Sequence, residues 1–270
     1  MYDGPIIDMH AHIYPAKIAQ KAMHSIEAFY GIDAVEKTDG TPETLLELGK
    51  KINVVKFLVH STATKVEQVG HINDFIAGQI VAHPEFVGFG TLHFDMTEQE
   101  VVTEVARAKS IGIRGIKLHP DCQHFSIDDP KMDKIYAACS DYDLPILMHT
   151  GDDRYDNSRP YKMAAVARRF PKGRFIAAHF GGYSNWEYVD CYEGTQNVWF
   201  DTSSTLFKIK SGEPERLIKK FGAERFFFGT DYPLFGSEPE LGRFRKLALD
   251  DATQQKILYQ NAVDFLKLNL

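Results

Sequence analysis

The tripeptide His10-Ala11-His12 closes the apolar run PIIDMHAH near the start of the chain. In a strand, residues two apart point to the same face. Both imidazoles therefore project together, and two of their nitrogens can close on one cation at about 2.0–2.1 Å. The pattern recurs. Seven of the eleven histidines end short apolar runs: His10 and His12, then His60 (VVKFLVH), His93 (FVGFGTLH), His119 (GIRGIKLH), His149 (LPILMH) and His179 (GRFIAAH). Two further runs end in aspartate, NVWFD at Asp201 and RFFFGTD at Asp231. Metal-capable residues at the same end of every run imply parallel strands whose polar ends converge, as on the C-terminal rim of a closed parallel barrel. His10, His12, His149 and Asp231 supply three neutral imidazoles and a carboxylate. That donor set suits one Zn²⁺ per chain, with Mn²⁺, Fe²⁺ or Ni²⁺ also compatible. A cation so held lowers the pKa of a coordinated water toward about 7.

The elements that must position these residues follow from periodicity. Each apolar run is followed by a helical pattern, and the pair repeats about every 30 residues, the size of one βα unit. Helices are expected near 43–51, 65–82, 97–110, 130–142, 160–170, 183–193, 213–221 and 238–249. Thr97, Asp129-Pro130 and Glu213-Pro214-Glu215 serve as start signals. Eight strands alternating with helices predict a single-domain α/β protein, a (β/α)8 TIM barrel over residues 1–270. A doubly wound open sheet is the runner-up, but no Gly-rich phosphate fingerprint follows the first strand. An insertion after strand one, roughly residues 13–42, carries a helix over Ala16–Tyr30 and a polar turn at Thr38-Asp39-Gly40. A loop of this length at the catalytic end reads as a lid or substrate wall. A terminal helix is expected over Gln254–Leu268.

Composition narrows the function classes. The chain has 270 residues, 44% of them hydrophobic and 25% charged, which is ordinary globular usage. Its formal net charge is -6, from 31 basic and 37 acidic residues, so no basic nucleic-acid-binding face is implied. No apolar stretch approaches the roughly 20 residues of a membrane span. The start, MYDGPIID, runs directly into the first strand without the regions of a signal peptide. The three cysteines, Cys122, Cys139 and Cys191, show no CxxC pattern. A reducing, cytoplasmic setting is therefore expected. The expected partners are a small-molecule substrate and, for assembly, a homodimer; neither nucleic acid nor membrane is expected.

The segments IIDMHAHIYP, GIKLHPDCQHF, LPILMHTG, AAHFGG, FFFGTDYP and NAVDFL occur in that order from residue 6 to 266. In these the chain resembles the amidohydrolase superfamily, in particular the amidohydrolase-related branch that includes aminocarboxymuconate-semialdehyde decarboxylase and aromatic-acid decarboxylases. The resemblance implies a (β/α)8 barrel with a metal on His10, His12, His149 and Asp231. His179 then matches the histidine that polarises substrate or relays protons. Binuclear members of the superfamily carry a bridging carboxylated lysine or a glutamate on strand four. Here Lys117 shares strand parity with His119, and its alternatives are an ion pair beneath the metal or carboxylation to a bridging ligand.

The leading expectation is a metal-dependent hydrolase whose activated water attacks an amide, lactone or ester, with His179 and Asp231 as the catalytic proton carriers. The alternative is non-oxidative decarboxylation of an unsaturated or aromatic acid, in which carbon is protonated before carbon dioxide leaves. A non-catalytic metal-stabilised binding protein is a third class. Other rim residues are open between substrate contact and local structure. They are His60, His93 and His119; the loop Gly151-Asp152-Asp153-Arg154 and Arg159, which offer a cation to an anionic substrate; Tyr183, Asn185 and Trp186; and Asp201 and Ser203.

Overall fold

The structure, a computed structural model, describes residues 2–31 and 38–270. In chain order its strands are Ile6–His12 (β1), Val54–His60 (β2), Phe86–Gly88 (β3), Gly90–Thr91 (β4), Ile116–Leu118 (β5), Ile146–Met148 (β6), Phe175–Ala177 (β7), Val198–Asp201 (β8) and Phe226–Phe227 (β9). The α-helices are Ala16–Tyr30 (α1), Pro42–Lys50 (α2), Gln68–Ala82 (α3), Glu98–Ser110 (α4), Pro120–Gln123 (α5), Asp133–Asp141 (α6), Pro160–Arg169 (α7), Glu213–Phe221 (α8), Ser237–Phe244 (α9), Asp251–Gln255 (α10) and Asn261–Leu266 (α11).

Local signals explain several of these elements. Thr97 and Glu100 form a reciprocal capping box at the start of α4: each side chain accepts the other's backbone N–H. Glu98 and Glu100 in its first turn and Arg107 and Lys109 in its last match the helix dipole. Its buried stripe is Val101, Val105 and Ala108, spaced to one face. Helix α8 opens on Glu213-Pro214-Glu215 and buries Leu217, Ile218 and Phe221. Helix α1 has the expected bounds and ends on Gly31 at φ 65°, where glycine carries no Cβ penalty. Residues 32–37 of the insertion lie outside the described residues.

The chain forms two compact units. The first comprises residues 1–60, 83–86 and 202–270. Within it β1 and β2 pair in parallel, with Ala11 opposite Val59 and His12 opposite His60. The segment after β9 also runs parallel to β1: Met9 N–H bonds to Phe228 O, Asp231 N–H to His10 O and His12 N–H to Tyr232 O. The second unit comprises residues 61–82 and 87–201. Its strands β4, β5, β6, β7 and β8 pair in parallel in chain order, with Gly90, Ile116, Ile146, Phe175 and Val198 in successive register. Strands β5, β6 and β7 are buried along their whole length, as strands covered on both faces must be.

Four sequence expectations are corrected. The run FVGFGTLH is two short strands, β3 and β4, parted at Phe89. The segment 183–193 holds a 3-10 helix over Trp186–Tyr192 rather than an α-helix. Helix α9 ends at Phe244 instead of running to 249. The terminal helix begins at Asp251, where the Asp250 carboxylate caps it, and contains a π-helical turn over Lys256–Gln260. No helix among the described residues is long and apolar enough to cross a membrane.

Candidate metal and acid–base site

In the first unit His10 and His12 project from β1 toward Asp231, four residues beyond β9. His10 Nε2 lies 3.4 Å and His12 Nε2 3.5 Å from the same oxygen, Asp231 Oδ1. Donors held at about 2.1 Å by one tetrahedral ion stand about 3.4 Å apart. Each imidazole nitrogen therefore stands from Asp231 Oδ1 at the separation of two donors to one ion. His60, at the end of β2, brings a third ring, 5.0 Å from His10 and 4.3 Å from His12 between centroids.

The groups behind these donors fix their orientation. Ser203 Oγ lies 3.0 Å from His10 Nδ1. A ligating Nε2 leaves the ring proton on Nδ1, and the serine oxygen accepts it. Ser204 donates to Asp231 Oδ2 at 2.7 Å, which leaves Oδ1 facing the imidazoles. Beneath them, buried Asp8 accepts the His10 N–H at 3.0 Å, the Thr230 N–H at 3.1 Å and the Thr230 hydroxyl at 2.7 Å. Gly229 makes the close approach feasible: a Cβ there would stand 2.9 Å from His10 Cβ and 3.3 Å from Ser203 Cβ. Asp231 itself is left-handed, at φ 63°, a conformation that aspartate tolerates better than most residues.

In the second unit His119, His149, His179 and Asp201 follow or end successive parallel strands. His149 Nε2 lies 3.0 Å from the Gly151 carbonyl and Nδ1 2.9 Å from His179 Nε2. A carbonyl only accepts, so His149 carries its proton on Nε2 and keeps the Nδ1 lone pair. His179 then donates from Nε2. This is the second-shell arrangement of a metal-ligating histidine, in which a backbone carbonyl sets the tautomer. It leaves Nδ1, which faces His179 Nε2, to take either an ion or a proton from His179 and not both at once.

The remaining candidates divide. His119 caps α5 by accepting the Cys122 N–H at Nδ1, and its ring stacks on His149 at 4.0 Å. Asp121 lies 4.0 Å from His149 Nε2. Burial raises its carboxyl pKa, while a hydrogen bond from Ser158 opposes the rise. His93 is a local cap, its Nδ1 accepting the Asp95 N–H. Arg154 is engaged by Asp152 through two charge-assisted bonds of 2.9 and 2.7 Å, and Arg159 lies 3.6 Å from Asp156. Tyr183 stands 5.8 Å from His179 and 6.5 Å from His149 between ring centroids. Asn185 accepts the Asp152 N–H, and the Trp186 indole donates to the His179 carbonyl. Lys117 is fully buried in β5. Burial pushes the neighbouring Cys122 thiol up to about 12, so it is no nucleophile at neutral pH. Sequence reasoning missed Asp8, Thr230, Ser204 and Gly229. The one available signal was their proximity in sequence to His10, Ser203 and Asp231.

The family model described as amidohydrolase matches residues 7–268. The chain belongs to the amidohydrolase family. It is 22% identical over 241 residues to the 2-amino-3-carboxymuconate-6-semialdehyde decarboxylase of Dictyostelium discoideum, a match covering 74% of this chain and 66% of that protein's length. An uncharacterised TIM-barrel protein of Bordetella bronchiseptica superposes with a TM-score of 0.81 at 19% identity, covering 97% of this chain and 98% of that one. The 5-carboxyvanillate decarboxylase of Novosphingobium aromaticivorans, solved with manganese and 4-hydroxy-3-methoxy-5-nitrobenzoic acid, superposes with a TM-score of 0.77 at 17% identity, covering 98% and 96%. The fold is a (β/α)8 barrel, as the sequence pattern predicted.

Proposed function

We propose that this protein is a divalent-metal-dependent decarboxylase of an unsaturated or aromatic carboxylic acid, acting through one catalytic domain. The observation that carries the metal half of this reading is the convergence of His10 and His12 Nε2 on Asp231 Oδ1. The ligand set is the one the sequence resemblance implies, His10, His12, His149 and Asp231. Zinc suits these donors, and manganese is bound in the solved structure of the carboxyvanillate decarboxylase. When bound, a divalent ion supplies Lewis acidity that orients and polarises the oxygens of the acid substrate.

The choice between the two chemistries rests on the relatives. The hydrolytic reading ranked first on sequence, yet the named enzymes among the relatives described above are decarboxylases, one of a muconate semialdehyde and one of an aromatic acid. Decarboxylation by this route needs a proton at the carbon that bears the carboxylate. His179, whose Nε2 faces the ring of ligand His149, is the proton carrier assigned to that step, and Asp231 is the second. A C–H bond forms at that carbon, the C–C bond to the carboxylate breaks, and its electron pair restores the conjugated system as carbon dioxide leaves. Tyr183, beside both imidazoles, is placed to flank a planar substrate.

The test is turnover of protein reconstituted with zinc or manganese on three panels: aromatic acids, unsaturated acids, and lactones with amides. Carbon dioxide release should appear with an acid from the first two panels. Hydrolysis of a lactone or amide without carbon dioxide release would restore the hydrolase reading.

A further inference from the structure

His179 and Phe180 are consecutive non-glycine residues in the left-handed region, at φ 61° and 53°, followed by Gly181 at 78°. Such a doublet persists only where its surroundings over-determine it. Asp201 supplies two of the restraints: its carboxylate Oδ1 accepts the His179 N–H at 3.0 Å, and its carbonyl accepts the Phe180 N–H at 2.8 Å. Trp186 supplies the third, its indole N–H donating to the His179 carbonyl at 3.0 Å. An Asp201 carboxylate oxygen also lies within 4.8 Å of a His179 ring nitrogen. Gly181 completes the turn, because a Cβ there would press on Phe200 and Tyr192 at 2.9 Å.

We propose that Asp201 and Trp186 are positioning residues that hold the His179 backbone in this conformation and so direct its imidazole toward the His149 ring. The inference rests on the reading of His179 as a proton carrier. What the position requires of Asp201 is an acceptor oxygen toward the backbone N–H. The side-chain amide of asparagine offers one and alanine does not.

The experiment compares Asp201→Ala with Asp201→Asn on the full chain loaded with zinc, using long-range ¹H–¹⁵N spectra of the imidazoles. Bound zinc is counted on the same samples, along with carbon dioxide release from whichever acid the wild type turns over. Asp201→Ala should lose the wild-type His179 imidazole resonance and keep its zinc. Its kcat should fall roughly 10–100-fold, the scale of a small misplacement of a catalytic group, with KM little changed. Asp201→Asn should restore the resonance and most of the rate. Retention of the resonance in Asp201→Ala would overturn the proposal, and so would its loss in both variants, which would make the charge rather than the acceptor decisive. If Asp201→Ala does not fold, Trp186→Phe removes the indole donor alone; loss of the resonance then supports the clamp and retention refutes it. A wild type with the resonance but no decarboxylation would reject the proposed function while leaving the clamp standing.

Discussion

Ser203→Ala offers a direct test of the metal reading, because its effect should depend on whether an ion is bound. His10 is fully buried and its Nδ1 lies 3.0 Å from the serine oxygen. With an ion on Nε2 the ring proton must be on Nδ1, and alanine leaves that buried N–H without its acceptor, at a cost of about 1–3 kcal/mol. Without an ion the ring has an escape. The proton can move to Nε2, which faces Asp231 Oδ1 at 3.4 Å, so the metal-free protein avoids most of the penalty. The loss therefore appears in metal affinity. A weakening of roughly 10–100-fold, about 1.4–2.7 kcal/mol, is the usual effect of removing an outer-shell partner. Competition with a chromophoric zinc chelator at neutral pH measures the affinity, and calorimetry of the stripped protein measures stability. Unchanged zinc affinity would refute the reasoning, as would a variant whose metal-free form loses as much stability as its metal-bound form.

His12→Ala should lose metal and activity while circular dichroism stays near wild type, since the residue ends β1 and is the more exposed of the pair; full metal retention would remove it from the ligand set. His179→Asn should keep its metal and lose about 10²–10⁴-fold in rate, the typical worth of acid–base assistance, whereas loss of metal would mark His179 as a ligand. Gly229→Ala should lower zinc affinity by pushing His10 and Ser203 apart, read in the same chelator competition, and a neutral result would mean that the strand ends yield. Burial pushes the Glu240 carboxyl up to about 8 from 4.5, against the opposing pull of Arg243. Because the folded state holds this proton more tightly than the unfolded chain, the stabilisation is complete below about pH 4.5 and is lost as the pH rises toward 8. Glu240→Gln should therefore flatten the melting temperature across that window, and an unchanged pH profile would show that Glu240 is ionised in the fold.

The strand ends were legible because each apolar run stops at a residue that carries chemistry, and parallel strands bring like ends together. The capping box at Thr97 and the bounds of α1 were legible for local reasons, since caps and periodicity need no tertiary partner. The residues that orient the site were not. Asp8 and Thr230 meet because the segment after β9 lies parallel to β1, a pairing across more than 200 residues. Ser204 reaches Asp231 from beyond β8; Ser203 stood among the candidates, but not its bond to His10. No local pattern announces which serine will meet which imidazole. The segment 183–193 misled for a different reason. Its apolar spacing resembles a helix, but Tyr183 N–H bonds to Thr150 O and the Trp186 indole to His179 O. These ties to neighbouring loops fix its start, and its own backbone closes in i→i+3 bonds such as Tyr188 N–H to Asn185 O and Glu193 N–H to Asp190 O.

Backbone conformation separates the donors into two kinds. His10 and His12 lie within β1, so the pleat aims them. His179 and Asp231 lie past the ends of their strands, and both are left-handed, at φ 61° and 63°. A side chain in that conformation leaves the strand direction, which lets a residue beyond the strand turn back toward the sheet end. The conformation is unfavourable for non-glycine residues, and local hydrogen bonds offset it in each case. Asp201 and Trp186 hold His179; the His10 carbonyl and the Ser204 hydroxyl hold Asp231. Both residues given proton-carrying roles are thus the ones whose direction depends on neighbours rather than on the strand. A glycine at either position would relieve the backbone and remove the chemistry, so the strain is retained where a directed side chain is what the site requires.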